Sequence, residues 1–196
     1  MFIYLNKSKN IKQKHFSFNG IIMKKIILAT SAIILGSAAA HAADGTVTIT
    51  GKITDRTCSI DAESKDLSVA LPTVSVSSLT AAGQTAGRTP FTINLTGCSE
   101  GKVATYFEPG TSVDFNSGRL NNVSGDAKNV QIQLLGDNNE FIPVLGKAVG
   151  TQLNSQEVNV TAGGSAALNY YAEYYAQDKT TAGDVKTSVK YTIIYP

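Results

Sequence analysis

The sequence contains no tryptophan, and its two histidines (His15, His41) and two methionines (Met1, Met23) all fall within the first 42 residues. From Ala43 onward the chain therefore has no imidazole to serve as a general base or as the commonest metal ligand. Acidic residues show the opposite bias. None of the fifteen precedes Ala43, whereas six of the seventeen basic residues do. Residues 43–196 thus carry eleven basic against fifteen acidic side chains, a net charge of −4 where the whole sequence has +2. A mildly acidic chain lacks the clustered Lys and Arg that displace counterions from a phosphate backbone, so no nucleic-acid partner is expected. Glycine-rich phosphate loops, metal-ligand clusters and nucleophile motifs are also missing. No cofactor, metal site or catalytic residue is expected, and the chain does not read as an enzyme. Asp61, Glu63 and Asp66 lie close together, but on a polar turn where solvated charge is the simpler reading.

Apolar runs long enough to span a bilayer are absent too. The stretch 26–35 is about half the required length and is followed at once by small and polar residues. Preceded by Met23-Lys24-Lys25 and followed by Ala40-His41-Ala42, it reads as a secretory signal peptide over 23–42, cleaved before Ala43. Residues 1–22 are polar and basic (Lys7, Lys9, Lys12, Lys14) and do not fit that plan. They are read as lying upstream of the true start and are set aside.

Only two cysteines occur, Cys58 and Cys98. In an exported chain an even pair reads as one disulfide. Closing a loop of that size contributes about 4 kcal/mol through the entropy it removes from the unfolded chain. The remaining 154 residues, 43–196, suit a single domain with a substantial core.

The dominant pattern in those residues is alternation with period two between clusters of Gly, Asn, Asp and Ser, which marks strands. Thr46–Thr54 places Val47, Ile49, Gly51 and Ile53 on one face. Leu67–Leu71 reads as a short strand ended by Pro72, and Thr80–Thr89 as a small-residue loop with a possible helical turn. Phe91, Ile93 and Leu95 alternate into Gly97-Cys98, and Val103–Phe107 follows as another strand. Gly110–Asp126 reads as an outward-facing loop. Val130, Ile132 and Leu134, the turn Gly136-Asp137-Asn138-Asn139, and Phe141–Val144 make a hairpin. Val158 and Val160 mark a short strand, and Leu168, Tyr170, Ala172 and Tyr174 a long one. Val189, Tyr191, Ile193 and Tyr195 line one face of the last strand. Tyr170, Tyr171, Tyr174 and Tyr175 could form an aromatic sugar platform, but their split between two faces favours ordinary strand packing. The set argues an all-β sandwich.

In this order the residues resemble the pilins of the chaperone–usher pathway, the type 1 fimbrial subunit family. The start Ala43-Asp44-Gly45-Thr46-Val47-Thr48-Ile49-Thr50-Gly51-Lys52-Ile53 looks like a pilin N-terminal extension running on to Cys58. Cys98 closes a Phe-x-Ile-x-Leu-x-Gly-Cys strand, and Ala172-Glu173-Tyr174-Tyr175-Ala176 is similar to the family's penultimate strand. Tyr195 is the penultimate residue and Gly183 the fourteenth from the end. Pro196 departs from the pattern by removing a backbone N–H at the terminus.

The resemblance implies an incomplete immunoglobulin-like sandwich over 56–196 that lacks its last strand and is completed in trans. Residues 43–55 are then the donor strand, merging into the first strand of their own fold, with Val47, Ile49, Gly51 and Ile53 entering a neighbour's groove. Gly183, Val189, Tyr191, Ile193 and Tyr195 are the acceptor-groove and chaperone-binding side of the C-terminal strand. The implied partners are other pilin subunits in a homopolymer, a periplasmic chaperone and an outer-membrane usher. The implied destination is a cell-surface fimbria, reached through the periplasm, in which the chain is a shaft subunit supporting adhesion. Without the resemblance, Thr46–Thr54 reads more readily as an ordinary first strand folded into its own sheet; the alternative for the chain is a self-contained secreted or surface β-sandwich binding module.

Overall fold

The computed structural model describes residues 45–146 and 151–196. The leader at 23–42 and residues 1–22 lie outside them, as do Ala43 and Asp44. By contact density the chain divides into Met1–Ile49 and Thr50–Pro196; all the elements below belong to the second unit.

In chain order the elements are strand β1 (Ser59–Ile60), the single helical turn α1 (Ala62–Lys65), and strands β2 (Thr85–Cys98), β3 (Gly101–Glu108), β4 (Val113–Asp114), β5 (Arg119–Asn121), β6 (Val130–Leu135), β7 (Phe141–Ile142), β8 (Glu157–Val160), β9 (Gly164–Ala176) and β10 (Lys190–Ile194). They form two antiparallel sheets. The larger runs β1-β2-β9-β6-β5-β4, with β7 also paired to β6, and the smaller runs β10-β3-β8. The long β2–β9 pair is the spine, running from Thr85 opposite Tyr175 to Cys98 opposite Gly164, with register shifts between Ala86 and Thr89 and between Leu95 and Cys98.

The two sheets enclose one apolar core. Leu95, Leu168, Ile142 and Tyr170 have no exposed surface, and Ile93, Val103 and Phe107 nearly none. Alternation put these side chains inside: Ile93 and Leu95 on β2, and Leu168, Tyr170 and Ala172 on β9, all point one way off the pleat. Tyr170 sits edge-on to Phe107 with ring centroids 5.1 Å apart. Its hydroxyl is satisfied by Ser155 Oγ at 3.1 Å, and burial pushes its pKa up. The aromatic cluster is therefore packing, with Tyr175 lying under the Arg119 guanidinium at 3.6 Å on the opposite face. Cys58 and Cys98 are joined by a disulfide.

Several elements differ from the sequence reading. Residues 45–57 form no strand, so the extension does not merge into the first strand, and the first β-pair is Ser59–Ile60 with β2. Leu67–Leu71 is not a strand either: among the described residues no backbone hydrogen bond reaches 67–74. A strand needs a neighbour, and this segment has none. The helical turn lies at Val76–Ser78, earlier than expected, and β2 already begins at Thr85. Gly110–Asp126 is not simply an outward loop. It contains the β4–β5 hairpin, which buries Val113 and Leu120.

Asp114 holds that hairpin. Its carboxylate accepts from Gln131 Nε2 at 3.0 Å, Asn116 N at 3.0 Å and Ser117 Oγ at 2.8 Å. These bonds, that from Gln131 foremost, lower its pKa from the ordinary 3.8 to about 2. A depressed carboxylate stabilises the fold above its unfolded pKa, and that contribution disappears as pH falls through the folded one. The β4–β5 hairpin should therefore loosen between about pH 4 and pH 2. Asp114→Asn should remove this pH step; amide exchange at Ser117 and Gly118 across an acid series measures it.

Candidate functional site: an open apolar groove between two unpaired segments

The unpaired segment 67–74 and the approach to β10 face each other across a gap in the sandwich. A cleft of about 880 Å³ occupies it. Its floor is made of core side chains, among them Ile93, Phe107, Ile132 and Leu134; Val69 and Leu71 form one wall, and Val185, Val189 and Tyr191 the other. A second cleft of about 540 Å³ continues it past Leu71, Tyr174 and Val185, which line both, towards Leu79, Val130 and Gly183. Lys65, Asp66, Lys186 and Lys190 stand at the lips of the larger cleft.

The burial pattern shows how open this gap is. From Val185 to Tyr191, half-buried residues alternate with exposed ones, as they do from Ser68 to Leu71. Val69, Leu71, Val185, Val189, Tyr191, Ile193 and Tyr195 all pack against the core yet stay only partly covered. Apolar side chains that touch a core yet stay half-exposed form a contiguous apolar surface of the kind that marks an interaction site. The Thr187 hydroxyl, buried in the same cleft, has no partner among the described residues. On the far side from β3, β10 has no paired strand among the described residues. This is an unprotected edge beside exposed apolar surface, a combination that natural sheets normally avoid.

Two tyrosines of the C-terminal strand bridge the gap with their side chains. Tyr191 donates its hydroxyl to Ser64 O at 2.6 Å, and the Tyr195 hydroxyl accepts from Cys58 N at 2.7 Å. Burial, reinforced by the nearby Asp66 carboxylate, raises the Tyr191 pKa, so the phenol stays neutral and able to donate well into the alkaline range. Gly183 stands where the wall begins. Its φ is +151°, and a Cβ there would lie 2.4 Å from Asp126 Oδ1 and 2.6 Å from Ala127 N. Both the dihedral and the close approach require glycine.

Of the residues singled out from sequence, Gly183, Val189 and Tyr191 line the clefts, while Ile193 and Tyr195 continue the same half-buried row. Val47, Ile49 and Ile53 are 87%, 89% and 100% exposed, and Gly51 has nothing within 4 Å of where a side chain would begin. The sequence reading missed the opposite wall at Val69 and Leu71; their alternation was visible, but its lack of a partner strand was not. Among the described residues no group of three or more His, Cys, Asp or Glu could hold a metal ion.

Comparison with known proteins places this architecture. The family model for type-1 fimbrial protein, A (FimA) matches residues 71–196. The chain is 61% identical over 161 residues to the major fimbrial subunit SMF-1 of Stenotrophomonas maltophilia, covering 80% of this chain and 95% of that protein. It is 42% identical over 181 residues to the F17 fimbrial protein of Escherichia coli, covering 88% and 99%. Among solved structures, the P pilus rod subunit PapA superposes with a TM-score of 0.56 at 21% identity, over 71% of this chain and 99% of that one; this likeness concerns the fold, the immunoglobulin-like sandwich of pilus subunits. A sandwich of this kind, a family model covering most of the folded unit and a 61% identical major subunit together show that the chain belongs to the type-1 fimbrial protein family, as a structural subunit of fimbriae.

Proposed function

We propose that the open groove is the acceptor for one strand, supplied by residues 43–55 of a second copy of the chain, and that this exchange builds the fimbrial shaft. The observation that carries the reading is a mismatch within one molecule. Val47, Ile49 and Ile53 are 87–100% exposed, while a row of core-packed residues on the C-terminal strand is left half-covered. Each surface has what the other lacks. In the smaller sheet, β10-β3-β8, β10 is an edge strand among the described residues, and its open side is where a further strand can add by edge pairing.

The donor's chemistry suits that place. Three branched side chains buried from water contribute on the order of 5–9 kcal/mol, before any backbone hydrogen bonds. Opposite-face residues Thr48, Thr50 and Lys52 would remain in solvent. A subunit with such a groove needs cover before it reaches its neighbour, which supports a periplasmic chaperone that lends a strand and an outer-membrane usher that exchanges it. The direct test is a synthetic peptide of residues 43–55 added to the chain beginning at residue 56. Saturable one-to-one binding, with loss of binding when Ile49 and Ile53 are changed to Asp, is the expected result. No binding at concentrations up to about 1 mM, an affinity of only about 4 kcal/mol, would refute the reading.

A further inference from the structure

Residues 184–188 extend the accepting wall beyond the point where its own sheet ends. The ladder between β10 and β3 starts at Lys190 opposite Glu108, and β3 goes no further. Upstream of Lys190 the C-terminal segment should be free on both sides, yet one side is fully occupied. Asn122 sits opposite it, after β5, and uses its whole side-chain amide. Nδ2 donates to Asp184 O and Ala127 O, each at 3.0 Å. Oδ1 accepts from Lys186 N at 2.9 Å and Gly125 N at 3.0 Å. Backbone bonds add to this: Val123 N to Lys186 O at 3.0 Å and Ala127 N to Asp184 O at 3.2 Å. Asp126 Oδ1 accepts from Asp184 N at 2.6 Å, and Ser112 Oγ donates to Ser188 O at 2.5 Å. Gly125 is required by the same contact, since a Cβ there would lie 1.9 Å from Asp184 O.

The polar backbone groups of Asp184 and Lys186 are thus spent on the 122–127 loop. In an extended chain, successive residues direct N–H and C=O to opposite sides. Those of Val185 and Thr187 then face the groove, and among the described residues neither has a hydrogen-bond partner. Asn122 completes this loop as a substitute for the missing length of β3, and what it holds in place is the free edge where the two clefts meet, Val185 lining both and Thr187 the larger.

We propose that Asn122 is a positioning residue for strand exchange: by clipping Asp184 and Lys186 to the 122–127 loop it presents Val185 and Thr187 as a preformed edge for the distal end of the incoming strand. This rests on the strand-acceptor reading above. Loosening the clip leaves the core intact but makes the incoming strand pay for ordering the wall, so exchange slows.

The test uses the exported chain, with assembly followed by light scattering and amide protection by hydrogen exchange. Asn122→Ala should slow assembly about tenfold or more, the equivalent of one to two net hydrogen bonds. Protection should fall at Lys186 and Gly125 while that of the β2–β9 ladder is unchanged. Asn122→Asp, which keeps both acceptor bonds and loses both donors, should fall between Ala and wild type. Asn159→Ala, an exposed asparagine on β8, serves as the control and should assemble at the wild-type rate. If wild type assembles and Asn122→Ala matches its rate, the clip is refuted. If Asn122→Ala also loses β2–β9 protection, the Asp variant decides, and a wild-type rate for it refutes the clip. If wild type itself does not assemble, the acceptor reading fails first.

Discussion

Changing Ile53 to Asp should abolish self-assembly while leaving the fold of the subunit untouched. In its own molecule Ile53 is fully exposed, so a carboxylate costs nothing there, and surface substitutions of that kind usually stay within about 0.5 kcal/mol. In a neighbour's groove the same change removes about 1.5–3 kcal/mol of apolar burial and buries a charge for which the apolar cleft floor offers no partner. The combined penalty exceeds about 3 kcal/mol, so assembly should weaken at least about 100-fold. Ile49→Asp should behave alike. Thr50→Asp, on the opposite face, should assemble normally. Sedimentation of the assembled fraction and circular dichroism of the unassembled subunit separate the two effects. An Ile53→Asp chain that assembles as wild type does would mean that the extension is not the donor.

Replacing both cysteines by serine should lower stability by about 4 kcal/mol, the loop-closure value for the 40-residue separation. For a domain of this size that corresponds to a fall in melting temperature of about 10 °C. The position adds a local effect. Cys58 anchors the chain just before β1, and its N–H donates to the Tyr195 hydroxyl at 2.7 Å. Freed of Cys98, this anchor loosens, and with it the hold on the end of the C-terminal strand. The double variant should therefore lose groove integrity along with global stability, and bind the 43–55 peptide more weakly than its remaining folded fraction would suggest. Thermal unfolding with and without the peptide reads both quantities.

Much of the sandwich is legible in its residues, because alternation and turn chemistry act locally. Leu168, Tyr170 and Ala172 declare β9, and the 136–139 turn declares the β6–β7 pair, with Asn139 at φ 63° and Gly136 N bonded to Glu140 O. The β4–β5 hairpin is not legible, since strands of two and three residues carry no period. Leu67–Leu71 shows the opposite limit: its alternation is that of a strand, but strandedness depends on a pairing partner, and among the described residues it has none. The Asn122 clip was invisible for a third reason. It joins residues 62 and 64 positions apart through one side-chain amide, and nothing local marks that asparagine out.

The most direct measurement compares residues 43–196 refolded alone with the same chain carrying a second copy of 43–55 linked flexibly after Pro196, by size exclusion and thermal unfolding. The account expects the plain chain to be unstable or to polymerise, and the extended one to be a monodisperse monomer of much higher melting temperature. A plain chain that is already a stable monomer, unchanged by the added strand, would contradict it and leave a self-contained binding module as the better description.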